Sequence, residues 1–171
     1  MLRKDSIVGI LKFLTTAYGK IFKKNGVSVR AYKGDAMTLL CFDINKKITE
    51  NFTGFTIKVT PPGKDRYTYY IYNRISYSLD VLAASKINPD KVNVYKMNYS
   101  PLQRFSWVHV PETDHDINKY NYGDYKYEIT PRYLIENKLQ PLNKELTVSV
   151  INTTERTLKN KSASTRKRLY A

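Results

Sequence analysis

The residue types best suited to chemistry cluster between His109 and Asp116, in the sequence HVPETDHD. Carboxylates and imidazoles are ligands that divalent cations accept. The segment has no established metal-ligand spacing and contains Pro111, so a solvated turn is the simpler interpretation. We therefore predict no metal site from its five candidate ligands, which are His109, Glu112, Asp114, His115 and Asp116.

Other catalytic and cofactor signals are weak. The single cysteine, Cys41, lies in the apolar run AMTLLCFDI, where a thiol is expected to be a buried, inert hydrophobe. The short turns KGD (33–35) and GKD (63–65) lack the spacing of a phosphate-binding glycine loop. We predict no catalytic residue and no cofactor. One cysteine cannot form an internal disulfide, which fits a reducing, cytoplasmic location.

Positive charge is concentrated at the two ends of the chain. The net charge is +14, and residues 1–26 and 153–171 each hold six Lys or Arg against one acidic residue. The sequence between them is only mildly basic. The ends are therefore candidates for contacts with nucleic acid or an anionic membrane, through Lys20, Lys23, Lys24, Arg166, Lys167 and Arg168. We predict that residues 153–171 form a disordered basic tail, with a solubilising or linker role as the alternative.

Residues 1–26 have the spacing of a basic amphipathic helix. Ser6 is a candidate N-cap, Gly26 a stop signal, and apolar residues recur at spacings of three and four. Such a helix could dock on this or another domain, or lie on a membrane surface. A signal peptide is a third interpretation, although Lys12 interrupts the apolar run. No run approaches the roughly 20 apolar residues of a spanning helix.

From Val27 the hydrophobic period changes to two, which is typical of strands. Residues 27–152 are predicted to be one mainly β domain, a seven-stranded antiparallel immunoglobulin/fibronectin type III-like sandwich. The predicted strands are 27–32, 36–44, 55–59, 67–72, 105–109, 123–134 and 146–150. The segment Ile75 to Pro101 is interpreted as an inserted loop, in which 79–84 could form a helical turn or an edge strand.

Tyrosines on the outer side of the strand at 67–72 are the one candidate binding surface of this domain. Alternation places Tyr70 and Tyr72 away from the core, where they could form an aromatic platform. Ordinary surface tyrosines on a sheet are the alternative, because tyrosine suits half-buried strand positions.

The strand motifs resemble those of fibronectin type III or immunoglobulin-like modules. GFTIKVTPPGK looks like the third strand and its turn, and GDYKYEITPRY looks like the sixth. The resemblance implies that Tyr125 makes a corner bond to backbone upstream. The inter-sheet cysteine pair of antibody domains is absent from this sequence.

Residues 28–151 also resemble, in order, the domain that precedes the catalytic region of bacterial phospholipase D-like proteins. The resemblance rests on VRAYKGDAMTLLCFDI, FTGFTIKVTPPGKDRYTYYIYNRISY, SPLQRFSWVHVPETDHD, YGDYKYEITPRYL and PLNKELTVSV. It implies a non-catalytic sandwich that accompanies a phosphodiesterase. The histidine–lysine pair of that chemistry is missing, because neither His109 nor His115 is followed two residues later by lysine.

The sequence therefore predicts a non-enzymatic accessory module that packs on a catalytic domain or a partner protein. Two alternatives remain open. One is a polyanion binder that acts through its basic ends on nucleic acid or an anionic membrane. The other is a truncated, inactive remnant of a phospholipase D-like enzyme.

Overall fold

The computed structural model describes residues 20–34, 37–63, 68–111 and 122–154. This part of the chain is mainly β. Its elements are β1 (Lys20–Lys24), β2 (Val27–Gly34), β3 (Met37–Ile44), β4 (Phe52–Thr60), β5 (Tyr69–Tyr70), helix α1 (Leu79–Ala84), β6 (Ser106–His109), β7 (Gly123–Ile135), β8 (Lys138–Leu139) and β9 (Val148–Thr154). Each of the seven predicted strands overlaps an observed strand, with different ends in most cases. Strands β1 and β8 were not predicted.

The strands form two antiparallel sheets. The first has the order β1-β2-β3-β6. The second has the order β5-β4-β7, and both β8 and β9 pair with the far side of β7. Among the described residues, β6 and β5 therefore lie at sheet edges, each paired with one strand.

The amino-terminal helix prediction is wrong for residues 20–24, which form β1 and pair with β2. The cause is the Asn25-Gly26 turn, in which both residues have positive φ, 45° and 86°. Asn-Gly with this backbone joins two antiparallel strands as a tight hairpin. The domain thus begins at or before Lys20 instead of at Val27, and residues 1–19 lie outside the described part.

The core fills the space between the sheets. Phe55, Ile57 and Val59 of β4 are completely buried, while Lys58 between them faces outward, as the alternation predicted. The rings of Phe42 in the first sheet and Phe55 in the second are 5.0 Å apart. Each such side chain contributes roughly 1.5–3 kcal/mol when buried, so these inner faces hold the two sheets together.

The segment predicted as an inserted loop folds onto the second sheet. It contains helix α1, and fully buried Met97 accepts a hydrogen bond through its carbonyl from Thr56 Oγ1 at 2.9 Å. Leu102 exchanges two backbone hydrogen bonds with Phe55, at 2.9 and 2.8 Å. Gly54, at φ 141°, permits this approach, since a Cβ there would lie 2.5 Å from the Leu102 oxygen.

The carboxyl-terminal boundary also differs slightly from the prediction. Strand β9 continues to Thr154, two residues beyond the expected end of the domain, and residues 155–171 lie outside the described part. Within the described residues, no helix is long and apolar enough to cross a membrane.

Candidate functional site

His109, the only described histidine, lies on the inner side of β6 and is 5% exposed. Its Nδ1 lies 2.8 Å from the Tyr127 hydroxyl and its Nε2 lies 3.0 Å from the Tyr69 hydroxyl. The rings of Tyr125 and Tyr127 both pack edge-on against the imidazole at 5.4 Å. The imidazole is therefore held on both nitrogens by tyrosines of the opposite sheet.

The hydrogen bonds of His109 continue beyond Tyr127. A hydrogen bond with the Thr38 side chain lowers the pKa of Tyr127 against the larger effect of burial. The amide nitrogen of Asn152 donates to Thr38 Oγ1 at 2.8 Å, so Asn152, Thr38, Tyr127, His109 and Tyr69 are connected in series. We call this chain of five side chains the Tyr–His relay.

The imidazole of His109 is held neutral by its burial. Burial lowers the pKa of His109 to about 4 and raises the pKa of Tyr127, because a dry interior disfavours either charged form. His109 therefore offers no vacant nitrogen to a metal or substrate while the relay is intact.

The other predicted metal-ligand candidates cannot be placed beside it. Glu112, Asp114, His115 and Asp116 lie outside the described residues. Among the residues that are described, no three of His, Cys, Asp and Glu come together as a metal-binding group.

An apolar surface lies beside the relay, where the edges of the two sheets meet. We define the edge surface as Tyr72, Trp107, Val108 and Val110, which line a depression of about 300 Å³ together with His109. Tyr72, Val108 and Val110 are 49%, 49% and 52% exposed, and Trp107 is half-buried. Large apolar side chains grouped at this exposure are typical of interaction surfaces.

One lysine lies beside the edge surface. Lys96 forms an isolated bridge with Tyr72. An apolar patch with a neighbouring positive charge favours a partner segment that is apolar and carries an acidic group.

Tyr70 and Tyr72, the predicted aromatic platform, contribute to different concave surfaces. Tyr72 belongs to the edge surface, whereas Tyr70 lines a second depression with Lys58 and Glu128 on the outer side of the second sheet. The strand around them is shorter than predicted, because β5 comprises only Tyr69–Tyr70.

The predicted polyanion contacts at the amino terminus lie on β1 and are exposed. The alternation of β1 places these lysines on different sides of the strand. The ammonium of Lys20 lies 5.2 Å from the centre of the Phe22 ring, and Lys24 Nζ donates to the Lys144 carbonyl at 3.0 Å. Lys23 faces the other way, into a depression beside Arg30 on the first sheet. Arg166, Lys167 and Arg168 lie outside the described residues.

Cys41 was expected in the core, and this expectation is wrong. Leu40 and Phe42 face inward, so Cys41 between them faces outward and is half-buried. Apolar residues occupy both sides of β3, since Leu39 also lies on the outer side. The sequence of this strand therefore does not show which of its residues face the core.

No protein-family model, curated protein or solved structure matches this chain.

Proposed function

We propose that this chain is a non-catalytic interaction module whose edge surface binds an extended, acidic and apolar segment of a partner protein or catalytic domain. The observation that carries the proposal is the edge surface itself, in which half-exposed apolar side chains lie between two sheet edges beside Lys96. Both ring nitrogens of the adjacent histidine are occupied, which supports a binding role over a catalytic one.

The energetics of the edge surface suit a peptide. Complete burial of a large apolar side chain is worth roughly 1.5–3 kcal/mol, and aromatic side chains such as Trp107 and Tyr72 dominate protein interfaces. Strand β6 also presents a backbone edge to which an extended segment can add. The acidic side chains of the bound segment would then lie near Lys96 and Arg104.

Strand order supports the fibronectin type III-like part of the proposal. If β2, β3 and β6 are strands A, B and E, they share one sheet, as in immunoglobulin-type domains. Strands β5, β4, β7 and β9 then correspond to C′, C, F and G in the other. This assignment agrees with the resemblance of β4 and β7 to the third and sixth strands. In phospholipase D-like proteins such a domain leads a catalytic region, which is the partner that the resemblance suggests.

A peptide selection tests this function. A display library of random peptides is selected on the intact chain, and Trp107, the only tryptophan, reports binding through its fluorescence. We expect enriched peptides to combine acidic with aromatic or aliphatic residues. Val108→Glu should weaken binding at least tenfold, because it adds a buried like charge.

Ile151→Glu is the matched control. Ile151 is an exposed apolar residue, at 62%, on β9, away from the edge surface, so the same substitution there should leave binding unchanged. Equal loss in both variants, or selection of basic peptides, would show that the edge surface is not the binding site.

A polyanion binder is the second candidate, favoured by the exposure of all three lysines on β1. Duplex DNA and anionic vesicles would bind with steep salt dependence, and replacement of Lys20, Lys23 and Lys24 by glutamine should reduce that slope. Unchanged slopes would contradict this candidate.

A further inference from the structure

The outer side of the second sheet carries a depression of about 310 Å³, separate from the edge surface. Its floor is a row of threonines from three elements. Thr56 of β4 is paired with Thr130 of β7, and Thr130 Oγ1 lies 2.8 Å from Thr147 Oγ1, just before β9. Thr56 and Thr130 are 1% and 4% exposed although they face away from the core. The floor is thus a fixed array of hydroxyl groups.

A buried cation lies next to this floor. Arg132 is 4% exposed, and its Nη1 donates to Thr56 Oγ1 at 3.1 Å and to the Asn98 carbonyl at 2.8 Å. Its Nη2 donates to the Gln140 carbonyl at 2.7 Å, and its Nε has no hydrogen-bond partner among the described residues. None of the three acceptors is a carboxylate. Since buried charges are normally paired, Arg132 places a positive charge beneath the threonines that these partners do not neutralise.

The walls of the depression add further positive charge. Lys24, Lys58 and Lys144 line it, against one carboxylate, Glu128. Lys24 Nζ is fixed by its 3.0 Å bond to the Lys144 carbonyl, and Lys58 Nζ lies 3.6 Å from Glu128 Oε2. The lining therefore combines ammonium donors with hydroxyl groups and a single strong acceptor.

We propose that this depression binds a small phosphorylated polyol, such as a sugar phosphate, either free or as the headgroup of a lipid. The lysine ammonium groups hold the phosphate, which accepts several charged hydrogen bonds at once. The Glu128 carboxylate accepts hydrogen bonds from the hydroxyl groups of the polyol, and the ring of Tyr70 covers its apolar side. Glu128 distinguishes this ligand from a bare anion, which its carboxylate would repel.

The size of the depression agrees with a single small group. It lies at the lower end of the range of about 300–1,000 Å³ for small-molecule sites. Leu142 and Lys144, from the segment before β9, bound one side and Tyr70 bounds another, which leaves room for one sugar ring and its phosphate.

The test uses glucose 6-phosphate, with inorganic phosphate and glucose as its two fragments, and calorimetry or NMR titration of the intact chain. Vesicles containing phosphatidylglycerol form a parallel arm that presents a phosphorylated polyol as a headgroup. We expect glucose 6-phosphate or the vesicles to bind more tightly than either fragment. Lys58→Gln should weaken that binding about tenfold or more, because it removes a charged hydrogen-bond donor to the phosphate.

Lys126→Gln is the matched control. Lys126 Nζ also lies 3.6 Å from Glu128, at the other oxygen, but Lys126 does not line the depression. Both variants lose one charge and one contact with Glu128, and only Lys58→Gln should lose binding. Equal effects of the two variants would overturn the proposal, as would binding of both probes no tighter than inorganic phosphate. Competition by duplex DNA alone, without binding of either polyol probe, would also overturn it.

Discussion

Acid should destabilise this protein through His109 in particular. His109 is buried within the Tyr–His relay, so the folded state holds the neutral form of its imidazole. In the unfolded chain the imidazole returns to its ordinary pKa of 6.5, whereas in the fold burial lowers the pKa to about 4. Between these two values the unfolded state binds more protons, and the stability therefore falls as the pH falls.

The size of the effect follows from the two pKa values. Each tenfold difference in proton affinity is worth about 1.4 kcal/mol, so the fall from 6.5 to about 4 corresponds to about 3 kcal/mol. This loss of stability is absent above about pH 6.5 and reaches its full size near pH 4. It is a large share of the roughly 5–15 kcal/mol that stabilises a typical domain.

Urea unfolding from pH 7 to pH 4 measures this contribution when wild type is compared with His109→Gln. Glutamine loses part of the relay, so the variant should be less stable at pH 7 by about 1–3 kcal/mol. It does not titrate, so the two stabilities should converge or cross towards pH 4. His115 and the carboxylates are common to both proteins and cancel in the difference. A stability difference that stays constant across this pH range would refute the relay as described.

Three further substitutions test other parts of the structure. Arg132→Met should destabilise the fold by about 2–4 kcal/mol, because it leaves buried acceptors without donors. The control Arg74→Met, at an exposed arginine, should change stability by less than about 0.5 kcal/mol. Equal unfolding midpoints of the two variants would contradict the buried placement of Arg132. Gly54→Ala should cost about 1–3 kcal/mol through its positive φ and the Leu102 oxygen, and hydrogen exchange should increase around Leu102; unchanged protection there would contradict the close approach. Tyr127→Phe should cost about 1–3 kcal/mol in chemical denaturation by removing one donor from the relay, and a neutral result would mean that the hydroxyl is not needed.

The sequence predicted the strands that alternate most clearly. In β4 the order Phe55, Thr56, Ile57, Lys58, Val59 predicts one core face, and Pro61 follows the last residue of the strand. In β7 the alternation is regular as far as Ile129, after which residues 130–132 are also buried. Such local periodicity reports which side is buried, and it carries most of the information needed for a two-sheet fold.

The misassigned segment at 20–24 had two competing signals. Lysines and apolar residues are compatible with a helix, and Gly26 is a common helix stop, but Asn25-Gly26 is also a strong hairpin signal. The structure shows the hairpin, in which residues 20–24 pair with β2. A helix assigned from spacing alone ignores such long-range partners.

The candidate sites could not be predicted because they depend on contacts between distant strands. His109 was noticed as a candidate ligand, and Tyr127 lies on the predicted strand 123–134, yet nothing in the local sequence indicates that the two residues touch across the sheets. Arg132 was similarly expected on an ordinary strand. Its burial depends on the fold of the segment around Met97 and Asn98, which the sequence left unresolved.

The polar contact between the sheets also acts as a check on strand alignment. If β6 slipped by one residue against β3, Val108 would take the place of His109, and the buried hydroxyl group of Tyr127 would lose its imidazole partner. A completely apolar core would be destabilised less by such a shift. Here the shifted register leaves a buried polar group unsatisfied, so the polar contact favours one register of the two sheets over the adjacent ones.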